Sequence, residues 1–113
     1  MEEKIELSRE ALAELASQAA HGVSGVAACL PSPVELLASR IKREFIHHGV
    51  RVDEEDGSYR FTVHISVRFG ESIPRIAGEI RERVKDYVEA AAGVRVGGVE
   101  VVVEDVEYPE PPR

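Results

Sequence analysis

The chain has 113 residues, 43% of them hydrophobic and 31% charged, and a formal net charge of −7. One domain of this length buries roughly two-thirds of its unfolded surface, so it needs neither a disulfide nor a metal to be stable. The acidic balance argues against broad binding to a phosphate backbone, which requires clustered Lys and Arg. Cys29 is the only cysteine, so an internal disulfide is excluded.

The opening MEEKIELSREA is acidic and lacks the apolar region of a signal peptide. No run approaches the roughly 18 apolar residues of a membrane span. The expectation is a cytoplasmic protein whose membrane association, if it has one, is borrowed from a partner.

Lys4 to Leu7 reads as a short strand or a lead-in. Ser8 is a fitting N-cap, because its hydroxyl can accept from a free N–H of the first turn. The helix it opens carries Leu12, Leu15, Ala16, Ala19 and Ala20 on one face and stops near Gly22. Val23 to Leu30 fits a short strand or an extended connection. Ser32, Pro33 and Glu35 then supply a cap, a first-position proline and a capping-box acid, predicting a helix over 33–48. Val34, Leu37, Ala38, Ile41 and Phe45 form its buried stripe; His47 and His48 fall in its last turn and Gly49 ends it.

Val50 and Val52 begin a strand, and Asp56-Gly57 is turn chemistry suited to a tight hairpin. The segment YRFTVHISVRF alternates: Tyr59, Phe61, Val63, Ile65, Val67 and Phe69 point one way, Arg60, Thr62, His64, Ser66 and Arg68 the other. Ser72 and Pro74 open a long helix and Gly93 closes it. Its apolar stripe is Ile73, Ile76, Ala77, Ile80, Val84, Tyr87, Val88 and Ala91. Arg75–Glu79 and Glu79–Arg83 are opposite-charge pairs on its wet face. In VRVGGVEVVVEDV the valines change phase across Gly97-Gly98, which predicts a β-bulge. Residues 1–107 read as one α+β domain and 108–113 as a disordered Pro-rich tail.

Candidate chemistry is sparse. Adjacent helical residues diverge by about 100°, so His47 and His48 are poorly placed to share one metal ion. His64, among Thr62 and Ser66, reads as a solvated strand residue without a nucleophile or acid partner. Cys29 beside Ala27 and Ala28 reads as a small hydrophobe. Glu54, Glu55 and Asp56 lack the spacing of a calcium loop. GVRVGG lacks the lysine of a phosphate loop and the dinucleotide pattern. No cofactor, metal or catalytic residue is assigned. One surface feature carries a partner hypothesis: Leu36, Arg40, Arg43 and His47 recur at spacings of four, three and four, a cationic seam opposite the buried stripe. It would dock an acidic protein segment or rest near anionic lipid.

The order and punctuation of these elements resemble the alkaline-shock-protein family, small bacterial envelope-stress proteins. The resemblance rests on Leu12, Leu15, Ala16, Ala19 and Ala20, on Val23 and Gly25-Val26, and on Gly49-Val50-Arg51-Val52. Its most specific part is Phe69-Gly70, Ile73, Ile76, Ile80, Val84 and Val88, then Gly93, Val96, Val99, Val101, Val103 and Val106. Phe69 stands where the family usually has Tyr, and the capped helix over 33–48 departs from a looser family stretch. The resemblance implies a non-enzymatic cytoplasmic protein bound to a membrane-anchored protein partner, with no catalytic residues to transfer. A second copy of the chain is another partner it leaves open.

The fold expected is α+β: a three- or four-stranded mixed sheet with two or three helices packed mainly on one face. A ferredoxin-like βαββαβ order is the alternative. The competing function is a KH-like nucleic-acid module, against which stand the net charge and the missing GxxG loop. Phe61, Ile65, Ile80 and Val101 are expected to face a common interior.

Overall fold

The computed structural model describes residues 6–29 and 46–108. Within them run helix α1 (Arg9–His21), strands β1 (Val26–Cys29), β2 (Ile46–His47), β3 (Val50–Glu55) and β4 (Ser58–Arg68), helix α2 (Ile73–Ala92) and strand β5 (Val96–Glu107). The fold is α+β, with one mixed sheet and both helices on one of its faces.

β4 is the axis of the sheet. One of its edges carries β5 in parallel along nearly its whole length. The other is shared end to end: β3 runs antiparallel to residues 58–63 and β1 antiparallel to residues 65–67. The two-residue β2 extends the sheet beyond β3, which brings the strand number to five against the three or four expected. β4 and β5 are direct neighbours, whereas the ferredoxin-like alternative would insert a strand between them.

The core forms where the odd residues of β4 meet the helices. Phe61, Val63, Ile65 and Val67 join Val50 and Val52 from β3 and Val26 and Cys29 from β1. α2 contributes Ile76, Ile80, Val84 and Val88, four residues on one stripe, all fully buried. Ile73 and Tyr87, expected in that stripe, lie at its margins and stay exposed. α1 buries Leu12, Ala13, Ala16, Ser17 and Ala20, a face rotated from the one expected; Leu15 and Ala19 are only partly buried. The rotation follows from a double contact, since α1 packs on α2 as well as on the sheet, and small residues let both approaches be close. Phe61, Ile65 and Ile80 face the interior as expected, and Val101 is half-buried beside it.

Local chemistry fixes the element ends. The Ser8 hydroxyl accepts from the Ala11 N–H at 3.1 Å, and the Ser72 hydroxyl accepts from the Arg75 N–H at 3.4 Å. Gly93 closes α2 in the left-handed conformation, φ 70°, with its N–H donating to the Glu89 carbonyl. Asp56 and Gly57 both adopt positive φ, the expected two-residue hairpin turn. His48 and Gly49 do the same between β2 and β3. These two residues therefore turn a hairpin instead of ending a helix. The bulge expected at Gly97-Gly98 is present, and β5 shifts register a second time after Val103. At Gly97 the glycine is also steric, since a Cβ there would lie 2.6 Å from the Ser58 hydroxyl.

The loop 22–25 is held by two arginines of α2. Arg83 donates to the Gly22 carbonyl and Arg75 to the Ser24 carbonyl, each at 3.1 Å. Arg75 also makes the expected bridge to Glu79 at 3.1 Å, and a second to Glu71 at 3.0 Å.

Candidate functional site

Of the cationic seam, Leu36, Arg40 and Arg43 lie outside the described residues, as does the predicted helix over residues 33–45. His47 is described, and the structure corrects its setting. It sits in β2, paired with Val50, not in the last turn of a helix. Its ring meets that of His48 edge-to-face, with centroids 4.1 Å apart. The cause is the turn: Gly49 accepts positive φ as readily as a helix end would need it, so either use fits the same dipeptide.

The even face of β4 is the second correction. Thr62, His64 and Ser66 were expected in solvent and all three are buried, His64 completely. His64 Nδ1 lies 2.7 Å from Glu104 Oε1 on β5. Arg51 of β3 donates to the Thr62 hydroxyl at 3.4 Å and to Asp53 at 3.2 Å. Alternation reports that two faces differ in polarity; it does not report which face is wet.

Cys29, His21 and His64 are each engaged within the fold. Burial pushes the Cys29 thiol up to about 11, opposed by a hydrogen bond with Ser17, so it is a neutral thiol at physiological pH. His21 Nδ1 lies 2.9 Å from the Ser17 carbonyl and 3.4 Å from the Ser17 hydroxyl. A carbonyl can only accept, so that nitrogen donates and cannot serve as a base toward the hydroxyl. Among the described residues no cluster of three or more His, Cys, Asp or Glu is placed to hold a metal ion. A shallow cleft of about 370 Å³ lies between α1 and α2. It is crossed by a hydrogen bond from Tyr87 to Gln18 at 3.1 Å and bounded by the Arg83–Gly22 contact, so its polar groups serve helix packing.

Two further surface features stand out among the described residues. Phe69 and Tyr108, 59% and 71% exposed, stack at the end of β4 and β5 with centroids 4.7 Å apart. The rest of the predicted tail, residues 109–113, lies outside the described residues. β5 is an edge strand: among the described residues only β4 pairs with it. Its valines 99, 101 and 103 lie half-buried at the rim of the core, while Glu100 and Glu104 project from the opposite face. At the start of β4, burial and then the charge of Glu54 raise the Tyr59 phenol above its ordinary pKa. Sequence reasoning placed β5 but not its role as an edge. The signal available was its density of Val and Glu with no Lys or Arg.

The profile of the alkaline-shock-protein family, described as having a cell envelope-related function, matches residues 1–108. The chain belongs to the alkaline-shock-protein family. The resemblance read from the sequence is thereby shown, and the family function is cell-envelope-related. Two curated relatives come from Bacillus subtilis strain 168. The uncharacterized protein YloU is 27% identical over 111 residues, covering 96% of this chain and 92% of its own. The uncharacterized protein YqhY is 24% identical over 105 residues, covering 93% of this chain and 78% of its own. Among solved structures, this alkaline-shock-family chain is similar in fold to MamM-CTD 215-293, with TM-score 0.52, 19% identity and coverage of 90% of this chain and all of that one. It is similar also to a cadmium form of a MamM CTD variant, with TM-score 0.52, 19% identity and coverage of 91% of this chain and all of that one. No helix among the described residues is long and apolar enough to cross a membrane.

Proposed function

We propose that this alkaline-shock-family protein is a non-enzymatic interaction domain of the cell envelope, recruited to the inner face of the membrane by a membrane-anchored protein. The observation that carries the reading is the family match over residues 1–108, with its envelope-related function. The internal use of its reactive groups supports it. The lone thiol is buried and neutral, one imidazole is tied to a carboxylate and another to a backbone carbonyl. The seam of Leu36, Arg40 and Arg43 remains the proposed contact for an acidic segment of the partner.

Binding to inverted native membrane vesicles tests the reading. The purified chain is expected to sediment with intact vesicles, and not with vesicles shaved by protease or with protein-free anionic liposomes. Reversing charge at Arg40 and Arg43 is expected to weaken that binding. Equal binding to shaved vesicles would replace the protein partner with lipid, and no binding to any vesicle would remove membrane recruitment altogether.

A further inference from the structure

We propose that the outer edge of β5, over Val99–Val103, accepts an added strand from a partner segment in which basic and apolar residues alternate. The inference uses residues other than Arg40 and Arg43 and holds whether or not membrane recruitment does.

The backbone directions come first. The Tyr59 N–H donates to the Arg95 carbonyl at 2.9 Å and the Phe69 N–H to the Glu107 carbonyl at 2.8 Å, so the odd residues of β4 turn their polar groups toward β5. The His64 N–H donates to the Gly49 carbonyl at 2.8 Å, so the even residues turn the other way. In a parallel ladder the residue opposite an inward-facing one faces outward. Val99, Val101 and Val103 lie opposite Phe61, Val63 and Ile65. Their N–H and C=O groups therefore line the edge with which no other described strand pairs.

The two ends of this window are closed. On one side the Gly97-Gly98 bulge breaks the register. On the other, β5 shifts again after Val103, and the next outward N–H, that of Val106, is taken by the Asp105 carboxylate at 2.9 Å. Between them the edge carries neither proline nor lysine, the usual devices that blunt a strand against pairing.

The side chains then describe the occupant. Val99, Val101 and Val103 point to the helix side and are half-buried, so apolar residues opposite them would complete their burial. Glu100 points to the other face and is exposed, where a cation fits; Glu104, just beyond the window, is engaged by His64. Every ionisable residue of β5 is acidic: Glu100, Glu104, Asp105 and Glu107. A second copy is disfavoured by the same charges. Antiparallel self-pairing about Val101, the middle of the window, sets the two Glu100 residues diagonal to each other on one face, and pairing about Val102 sets Glu100 opposite Glu104; either register gathers like charges, within a chain of net charge −7. A basic, extended segment meets both faces, with the backbone supplying affinity and the side chains selection.

The test uses the full chain and a capped, fluorescein-labelled heptapeptide, Lys-Val-Lys-Val-Lys-Val-Lys, followed by anisotropy. The expected result is binding that weakens with salt and is absent for the Glu-Val counterpart. Val101→Pro removes one outward N–H and no bond to β4, a placement edge strands tolerate, and is expected to weaken binding about tenfold or more. Glu100→Lys, a change at an exposed side chain, is expected to weaken it several-fold and serves if the proline variant loses its native circular dichroism. Equal binding by both variants, or equal binding of the acidic peptide, overturns the proposal. A concentration-dependent dimer in sedimentation that Val101→Pro dissolves would assign the edge to a second copy instead and overturn it as well.

Discussion

His64 Nδ1 and Glu104 Oε1, 2.7 Å apart, tie the central strand to its parallel edge neighbour across the face away from the helices. His64 is fully buried and the Glu104 side chain is 27% exposed. The contact therefore works in a drier setting than an ordinary surface pair, and it sits beside the second register shift of β5. Glu104→Ala takes this partner from a buried imidazole and is expected to cost about 1–3 kcal/mol. Glu104→Gln, which keeps a hydrogen-bonding oxygen, should cost less. Urea denaturation measures both, and amide exchange at Val102–Asp105 should quicken in the Ala variant before it does elsewhere. A loss no greater for Ala than for Gln would show that the contact does not hold β5.

Gly25 is required twice over. Its φ is +99°, and a Cβ built there would lie 2.7 Å from Ile76 Cδ1, a side chain that is itself fully buried and cannot swing clear. Gly25→Ala combines backbone strain with overpacking, each on the order of 1–3 kcal/mol. The expected outcome is a chain that melts well below wild type, by differential scanning calorimetry. Gly70→Ala is the matched control, with φ +95° and nothing within 4 Å of the added methyl. It should show the backbone part alone, and equal losses in the two variants would refute the steric share.

α2 depends on its caps because its buried stripe is narrow: Ile76, Ile80, Val84 and Val88. Ser72→Ala removes the acceptor for the Arg75 N–H and is expected to cost about 1 kcal/mol. Gly93→Ala places a methyl at φ 70° and should cost about the same. The two sites lie at opposite ends of a 20-residue helix, so the double variant should show the sum of the single effects. A clear excess over the sum would mean that the helix frays as one unit.

Legibility in the sequence followed the reach of each signal. The hairpin at Asp56-Gly57, the α2 stripe and the Gly97-Gly98 bulge were readable, because turn chemistry and period are local properties. His48-Gly49 was misread, because glycine at positive φ serves a helix end and a hairpin alike. His64 was misread for a different reason. It is fully buried and its hydrogen-bond partner is Glu104, forty positions away in the chain, a pairing no local pattern reports. The same limit hid the candidate interaction edge. Which edge of β4 each neighbour occupies, and hence which valines of β5 turn their backbone outward, is decided by pairing between distant segments. The Leu36, Arg40 and Arg43 part of the seam was legible as a pattern and lies outside the described residues.

Cys29 gives a pH test of the core. Its thiol is raised from 9.0 to about 11, chiefly by burial. A thiol in an unfolded chain ionises near its ordinary value, so above that pH the unfolded state loses a proton that the folded state keeps. Ionisation then draws the equilibrium toward unfolding. The sign is definite: this contribution is fully present below about pH 9 and is lost as pH rises toward 11. The full effect is on the order of 2 kcal/mol. Cys29→Ala should remove it, lowering stability at neutral pH through lost packing while flattening the decline across the alkaline window. Denaturation midpoints at steps through that window, wild type against variant, make the measurement. The same burial predicts slow labelling of the native thiol by a disulfide reagent at neutral pH and rapid labelling in denaturant. Parallel pH profiles for the two proteins, or fast native labelling, would mean that Cys29 meets water and that the β1–β4 seam opens far more readily than its packing implies.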